Sequence, residues 1–119
     1  MVTKPFPPRP DMLAPITPEM IQVAVDRLVE RFHPFKVILF GSQARGTTWP
    51  HSDVDLLVVL EQCPHKIKAM AAMLNELRDA PFAKDIVVTT PEEITTRGHL
   101  VTSVLRPALA EGKVLYARD

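Results

Sequence analysis

The sequence predicts a single α/β domain built on a small mixed β-sheet with helices packed against it. Three observations lead to this fold class. Short apolar segments rich in β-branched residues recur along the chain, amphipathic segments with helical spacing lie before and between them, and proline or glycine punctuates the pattern. The 119 residues provide for one domain of ordinary size, and a hydrophobic content of 46% supplies its core.

The first helix is predicted to begin after Thr17, which offers a hydroxyl N-cap and is followed by Pro18 and an acidic residue. Apolar residues then recur at helical spacing until Pro34 ends the run; these are Ile21, Val25, Leu28, Val29 and Phe32. Further helices are predicted over residues 67–78, from Thr90 onward, and over residues 104–110.

Three buried strands are predicted over residues 36–40, 54–60 and 85–89, and residues 113–116 form either a short final strand or an extended tail. The first strand ends in a glycine turn, whereas the second and third begin at aspartates. If these groups serve one site, the first two strands run antiparallel and the second and third run parallel. The helix over residues 67–78 is then the crossover that a parallel pair requires.

The first sixteen residues are predicted to be a proline-rich arm outside the domain, which covers residues 17–119. Five prolines remove backbone donors from this segment and favour an extended chain; they are Pro5, Pro7, Pro8, Pro10 and Pro15. A disordered or surface-draped tail is the expectation. The alternative is that the PxxP spacings dock into an aromatic groove of another protein.

Composition limits the class of partner and the compartment. Fourteen basic residues balance fourteen acidic ones, which argues against binding to long nucleic acids, since such binders carry a basic surplus. The single Cys63 excludes an internal disulfide. No segment has the length and apolar character of a membrane span or a signal peptide, so a cytoplasmic protein is expected.

The segment Gly41-Ser42-Gln43-Ala44-Arg45-Gly46 carries the first half of the predicted chemistry. Glycine lets backbone N–H groups approach a phosphate closely, and the Ser42 hydroxyl adds a donor at the start of a short helix. The segment therefore predicts a phosphate-binding turn formed by Gly41 and Ser42. Arg45 either contacts phosphate or forms a surface ion pair, and the pattern leaves both open.

Asp53 and Asp55 carry the second half. Residues at i and i+2 of a strand leave the same face, so the two carboxylates repel unless a cation offsets their charge. Magnesium is the ion that such oxygen ligands suit. A solvated strand start would show the same pattern, but a charge at the start of a buried strand favours a ligand. Asp85, which opens the next strand, is the third candidate.

The pattern GSxAxG followed by DxD resembles the minimal nucleotidyltransferases of the DNA-polymerase-β-like superfamily, over residues 21–116. The resemblance implies the palm fold of that superfamily and transfer of a nucleoside monophosphate, with ATP as the substrate. It also implies that Asp53, Asp55 and Asp85 are catalytic residues that bind two Mg²⁺ ions.

Within that superfamily the sequence resembles the antitoxins of HEPN/MNT toxin–antitoxin pairs. This resemblance implies a protein partner, a HEPN-type ribonuclease toxin, and AMPylation of a hydroxyl group on it. Two alternatives stay open. The chain could neutralise its partner by occlusion without catalysis, or it could be a small-molecule nucleotidyltransferase of the aminoglycoside type.

Overall fold

The computed structural model of the protein describes residues 4–11, 14, 16–41, 54–97 and 112–118. Three helices and four strands lie in these ranges, in the order α1 (Pro18–Phe32), β1 (Lys36–Phe40), β2 (Val54–Val59), α2 (Lys66–Glu76), β3 (Lys84–Thr89), α3 (Pro91–Arg97) and β4 (Lys113–Ala117). The predicted α/β class is confirmed. The helix predicted over residues 104–110 lies outside the described residues.

The four strands form one mixed sheet in the order β3-β2-β1-β4. β1 pairs antiparallel with both β2 and β4, whereas β2 and β3 run parallel. The strand directions inferred from the positions of the turn and the aspartates are therefore confirmed, and α2 lies in the connection between the parallel strands. The last segment is a strand and not a tail, since it adds to the free edge of β1.

Helix α1 has the predicted start. The Thr17 side chain accepts a hydrogen bond from the Met20 N–H at 3.3 Å, and Pro18 opens the first turn. At the other end His33 adopts the left-handed conformation (φ 49°) and its N–H donates to the Val29 carbonyl. Pro34 follows at once, so both ends of α1 are set by local sequence.

Helix α2 is shorter than the prediction of residues 67–78. It ends at Glu76, because the chain tightens into bonds of the i to i−3 type at its end. The Leu77 N–H is shared between the Met73 and Leu74 carbonyls, and the Arg78 N–H donates to the Asn75 carbonyl. Asp79 consequently lies in the turn that follows the helix.

The core lies between the helices and one face of the sheet. Alternate residues of β2, Leu56 and Val58, point into this core together with Met73 of α2 and Leu77, which follows α2. The opposite face carries a smaller apolar cluster centred on Ile38 and Leu57. Because side chains of a strand alternate between faces, Asp55 belongs to the face of Leu57.

Residues 4–11 lie against the helical layer. The Lys4 ammonium contacts Asp26 of α1 at 2.6 Å, and the Phe6 ring packs edge-on against Phe82 with 5.7 Å between ring centroids. Further along, Arg9 donates a hydrogen bond to the Pro81 carbonyl at 2.9 Å. The arm is thus fixed at both α1 and the segment that precedes β3.

Arg27 is the most buried charged residue among those described, with 4% of its surface exposed. Its guanidinium donates to both Asp79 carboxylate oxygens, at 2.6 and 3.0 Å, and to the carbonyls of Lys4 and Glu76. It also lies 4.4 Å from the centre of the Phe6 ring. This one side chain therefore joins α1, the end of α2 and the arm.

The helices of the described ranges include none that combines the length and the apolar character needed to cross a membrane.

Candidate active site

The end of β1 and the starts of β2 and β3 meet at one edge of the sheet. Phe40, the last residue of β1, pairs with Asp55, and Asp55 pairs in turn with Asp85. This register follows from the strand directions, because an antiparallel partner ends where its neighbour begins and a parallel partner begins beside it. Residues from three separate parts of the sequence are thereby brought together.

Asp55 and Asp85 leave the same face of the sheet from neighbouring strands. They are register partners in the parallel pair, and adjacent strands are about 4.8 Å apart. Asp55 is half-buried, whereas Asp85 is exposed. The pair therefore presents two carboxylates side by side, one fixed within the sheet and one open to a ligand.

Gly41 lies directly against Asp55. Its φ of 78° is in the left-handed region that favours glycine. A Cβ atom at this position would overlap the Oδ2 atom of Asp55 and would lie 3.3 Å from its Cγ atom. The absence of a side chain at Gly41 is therefore what lets the turn after β1 and the Asp55 carboxylate occupy adjacent positions.

Three of the six predicted site residues lie outside the described residues: Ser42, Arg45 and Asp53. Their roles stay predictions. The structure brings together the other three, Gly41, Asp55 and Asp85. Within the ranges it describes, no group of three or more acidic, histidine or cysteine side chains forms a metal centre, and Asp53, the third predicted ligand, is not in those ranges.

The two described carboxylates suit a hard divalent cation. Two carboxylates on one face supply oxygen ligands and negative charge, which Mg²⁺ prefers. Gly41 makes room for the Asp55 carboxylate itself, because a Cβ atom there would overlap its Oδ2 atom. The pair of carboxylates is therefore chemically suited to a divalent cation.

Asp79 is paired with a cation of the protein, the Arg27 guanidinium. The hydrogen bonds from Arg27 hold the pKa of Asp79 below its ordinary value, and they outweigh the opposing effect of partial burial. At Asp26, burial acts to raise the pKa, but hydrogen bonds from Lys4 and Gln22 outweigh it and the pKa is again lowered. Both carboxylates are committed to contacts within the helical layer.

Sequence reasoning did not find Arg27 or Arg9. An arginine in an amphipathic helix resembles a solvated residue, and Arg27 and Asp79 lie far apart in sequence. One signal was present for Arg27: it stands between Asp26 and Leu28, next to the apolar stripe of α1. For Arg9, within a proline-rich segment, the sequence carries no comparable signal.

Comparison with known proteins gives a family match over most of the chain. The model of the family described as polymerase beta, nucleotidyltransferase, matches residues 24–119. This range contains every residue predicted for the site, including the three that the sheet brings together.

One curated relative and two solved structures extend this match. A bifunctional uridylyltransferase/uridylyl-removing enzyme of Bordetella pertussis is 40% identical over an alignment of 92 residues, which covers 72% of this chain. The alignment covers only 10% of that enzyme, so this chain spans about a tenth of its relative.

The two solved structures share the fold at 20% identity. A Sulfolobus solfataricus protein assigned as a nucleotidyltransferase superimposes with a TM-score of 0.59 over 83% of this chain and 78% of its own. A chain of a toxin–antitoxin complex with AMP-PNP superimposes with a TM-score of 0.56 over 82% of this chain and 74% of its own.

Proposed function

Because the chain belongs to the polymerase beta nucleotidyltransferase family, we propose that it transfers a nucleoside monophosphate from a nucleoside triphosphate to a hydroxyl group of a partner protein. One observation carries this proposal: the sheet places Gly41, Asp55 and Asp85 at a single edge, with the two carboxylates in register. Each residue then has a distinct part in the reaction.

Asp55 and Asp85, together with Asp53, are the residues that would hold Mg²⁺, and three carboxylates suffice for two ions. The bound ions would offset the charge of the triphosphate and of the oxygens that attack and leave. Asp55 is half-buried in the sheet, so it holds its position, while the carboxylate of Asp85 faces solvent, where an acceptor can reach it.

Gly41 and Ser42 form the proposed phosphate-binding turn, and Arg45 is the proposed contact to the leaving group. At Gly41 the missing side chain makes room for the Asp55 carboxylate, so the proposed turn and this carboxylate lie side by side. The Ser42 hydroxyl and neighbouring N–H groups would donate to the terminal phosphates, which orients the α-phosphorus for in-line attack.

Asp85 is the proposed base. It orients the acceptor hydroxyl and accepts its proton as the oxygen attacks the α-phosphorus. A new bond forms between that oxygen and phosphorus, the bond between the α-phosphorus and the bridging oxygen breaks, and pyrophosphate leaves. Exposure of Asp85 at the sheet edge suits a macromolecular acceptor, which must approach from outside.

ATP is the proposed donor. The toxin–antitoxin complex with the same fold was solved with AMP-PNP, an analogue of ATP, which supports this choice. The uridylyltransferase relative supports UTP instead, and it is the nearer of the two in sequence, at 40% against 20% identity. The experiment below therefore compares all four nucleoside triphosphates.

The proposed acceptor is a HEPN-type ribonuclease toxin, which AMPylation would inactivate. The toxin–antitoxin neighbour supports a protein partner. Two other functions compete with this one: occlusion of a partner without catalysis, and transfer to a small molecule of the aminoglycoside type. These three functions differ in where label from the nucleotide appears.

The test is capture of partners from the native host with the tagged full chain, followed by incubation with Mg²⁺ and each of four α-labelled nucleoside triphosphates. The Asp55→Asn protein runs in parallel. Asp26→Asn is the matched control, because it removes a carboxylate on α1 away from this edge. Label is expected on a co-captured protein with the wild type and the control, and not with Asp55→Asn.

Other outcomes would replace the proposal. A partner captured equally by all three proteins, without label from any nucleotide, favours occlusion. Label on an added aminoglycoside without any partner favours a small-molecule enzyme. Mass spectrometry of the labelled protein identifies the acceptor residue and distinguishes AMP from UMP, and its sequence shows whether the partner is a HEPN ribonuclease.

A further inference from the structure

Residues 80–83, the last part of the connection from α2 to β3, lead into the strand that carries Asp85. The carbonyl of Ala83 accepts a hydrogen bond from the Val54 N–H at 2.9 Å. Val54 is the first residue of β2 and Asp55 the second. One hydrogen bond between this segment and β2 therefore lies at the start of the parallel pair, next to both aspartates.

The N-terminal arm holds that segment. Arg9 donates from Nη1 to the Pro81 carbonyl and from Nε to the Ala14 carbonyl, both at 2.9 Å. Phe6 packs edge-on against Phe82, which is 5% exposed. Both contacts fall within two residues of Ala83, so the arm reaches the point where the parallel pair begins.

The rest of the arm is held elsewhere. Lys4 contacts Asp26 and the carbonyl of Lys4 accepts from Arg27, so the first part of the arm is fixed to α1. Arg9 therefore provides the polar contact between this fixed arm and the segment before β3. Loss of this link would leave the arm on α1 but would free the Pro81 carbonyl, and residues 80–83 would open more easily.

We infer that the N-terminal arm is a positioning element of the candidate active site, and that Arg9 is its positioning residue: it holds the segment before β3 and so keeps Asp85 in register with Asp55. Arg9 touches neither nucleotide nor acceptor in this role. The consequence for catalysis rests on the proposed function, whereas the consequence for the sheet edge does not. Two readouts keep them apart.

The first readout is amide hydrogen exchange at Val54, measured by NMR on the full chain. Arg9→Ala is expected to speed exchange of this amide by about tenfold, because its bond to Ala83 opens more often. Lys4→Ala is the matched control on the same arm and is expected to leave Val54 unchanged. Arg9→Lys, which retains a donor for the Pro81 carbonyl, is expected to restore much of the protection.

The second readout is nucleotidyl transfer at saturating nucleotide with increasing Mg²⁺. Arg9→Ala is expected to lower kcat about tenfold and to raise the Mg²⁺ concentration at half-maximal rate, with Tm close to that of Lys4→Ala. If the Arg9 contact were merely structural, Arg9→Ala would lower Tm below that of Lys4→Ala and would leave the Mg²⁺ dependence of the folded protein unchanged.

Unchanged exchange at Val54 in Arg9→Ala would overturn the inference. So would faster exchange with kcat and Mg²⁺ dependence equal to those of the wild type. A wild-type protein that transfers no nucleotide would remove the proposed function, and the exchange comparison alone would then decide whether the arm holds this edge.

Discussion

Asp79 and the pair Asp55–Asp85 are aspartates in two different environments, on opposite sides of one sheet. On the helical side, Asp79 accepts two hydrogen bonds from Arg27, a guanidinium that is itself buried. On the other face, Asp55 and Asp85 lie in register on parallel strands. The first carboxylate contacts a cation of the protein, whereas the second and third leave the same face of neighbouring strands.

The difference follows from what each position in the fold places beside the carboxylate. Asp79 follows the end of a helix, where a neighbouring helix can supply a partner that stays in place. Asp55 and Asp85 stand at strand starts, where register places like charges together, and like charges at short range favour binding of a cation from solution.

The largest expected effect that separates the two regions is on catalysis. Asp55→Asn is expected to lower the rate of nucleotidyl transfer about 100- to 1000-fold, because it removes a charge that the proposed function assigns to metal binding. Labelled-nucleotide kinetics check this prediction; an active Asp55→Asn protein would contradict the assignment.

The matching effect on the helical side is on stability. Arg27→Ala is expected to lower the free energy of unfolding by about 2–3 kcal/mol, because the carbonyls of Lys4 and Glu76 and the Asp79 carboxylate all lose their donor. Equal stability of the variant and the wild type by urea unfolding would refute this.

Gly41→Ala is expected to affect both properties. A Cβ atom at φ 78° is strained and overlaps Asp55 Oδ2, so the variant should lose about 1–3 kcal/mol of stability. Displacement of Asp55 should also lower transfer about tenfold per folded molecule. Combining Gly41→Ala with Asp55→Asn tests the cause, because little further loss of activity is expected once the carboxylate is gone.

The smallest expected effect is on the free energy of unfolding at low pH. The pKa of Asp79 is lower in the folded protein than its ordinary value of 3.8, so its contact with Arg27 stabilises the fold fully above that value. This contribution is lost as the pH falls through the lower folded-state pKa. The stability difference between wild type and Asp79→Asn should therefore be constant from pH 7 to 5 and should shrink toward pH 3, as urea unfolding at each pH would reveal.

Much of this fold follows from local sequence. Thr17, Pro18 and Pro34 set the ends of α1, and the apolar runs set the strands, because capping and burial act within a few residues. The strand directions followed from one further assumption, that Gly41, Asp55 and Asp85 share a site. The hydrogen-bonded register confirms these directions.

What sequence could not supply is contact between distant segments. Residues 113–116 could form a strand or a tail, and only their pairing with β1 decides between the two. The Arg27–Asp79 contact depends on how two helices and the arm pack together. The register of Asp55 with Asp85 could be predicted, but the closeness of Gly41 to Asp55 depends on a backbone angle that any glycine leaves open.

The place of β4 in the sheet also bears on synthesis of the chain. β1 lies between β2 and β4, and β4 is made last among these strands. Until residue 117 leaves the ribosome, one side of β1 keeps its N–H and C=O groups unpaired beside an apolar strand, which is a template for pairing with another chain. A nascent protein stalled before Lys113 would therefore be prone to aggregate although most of its core is already present.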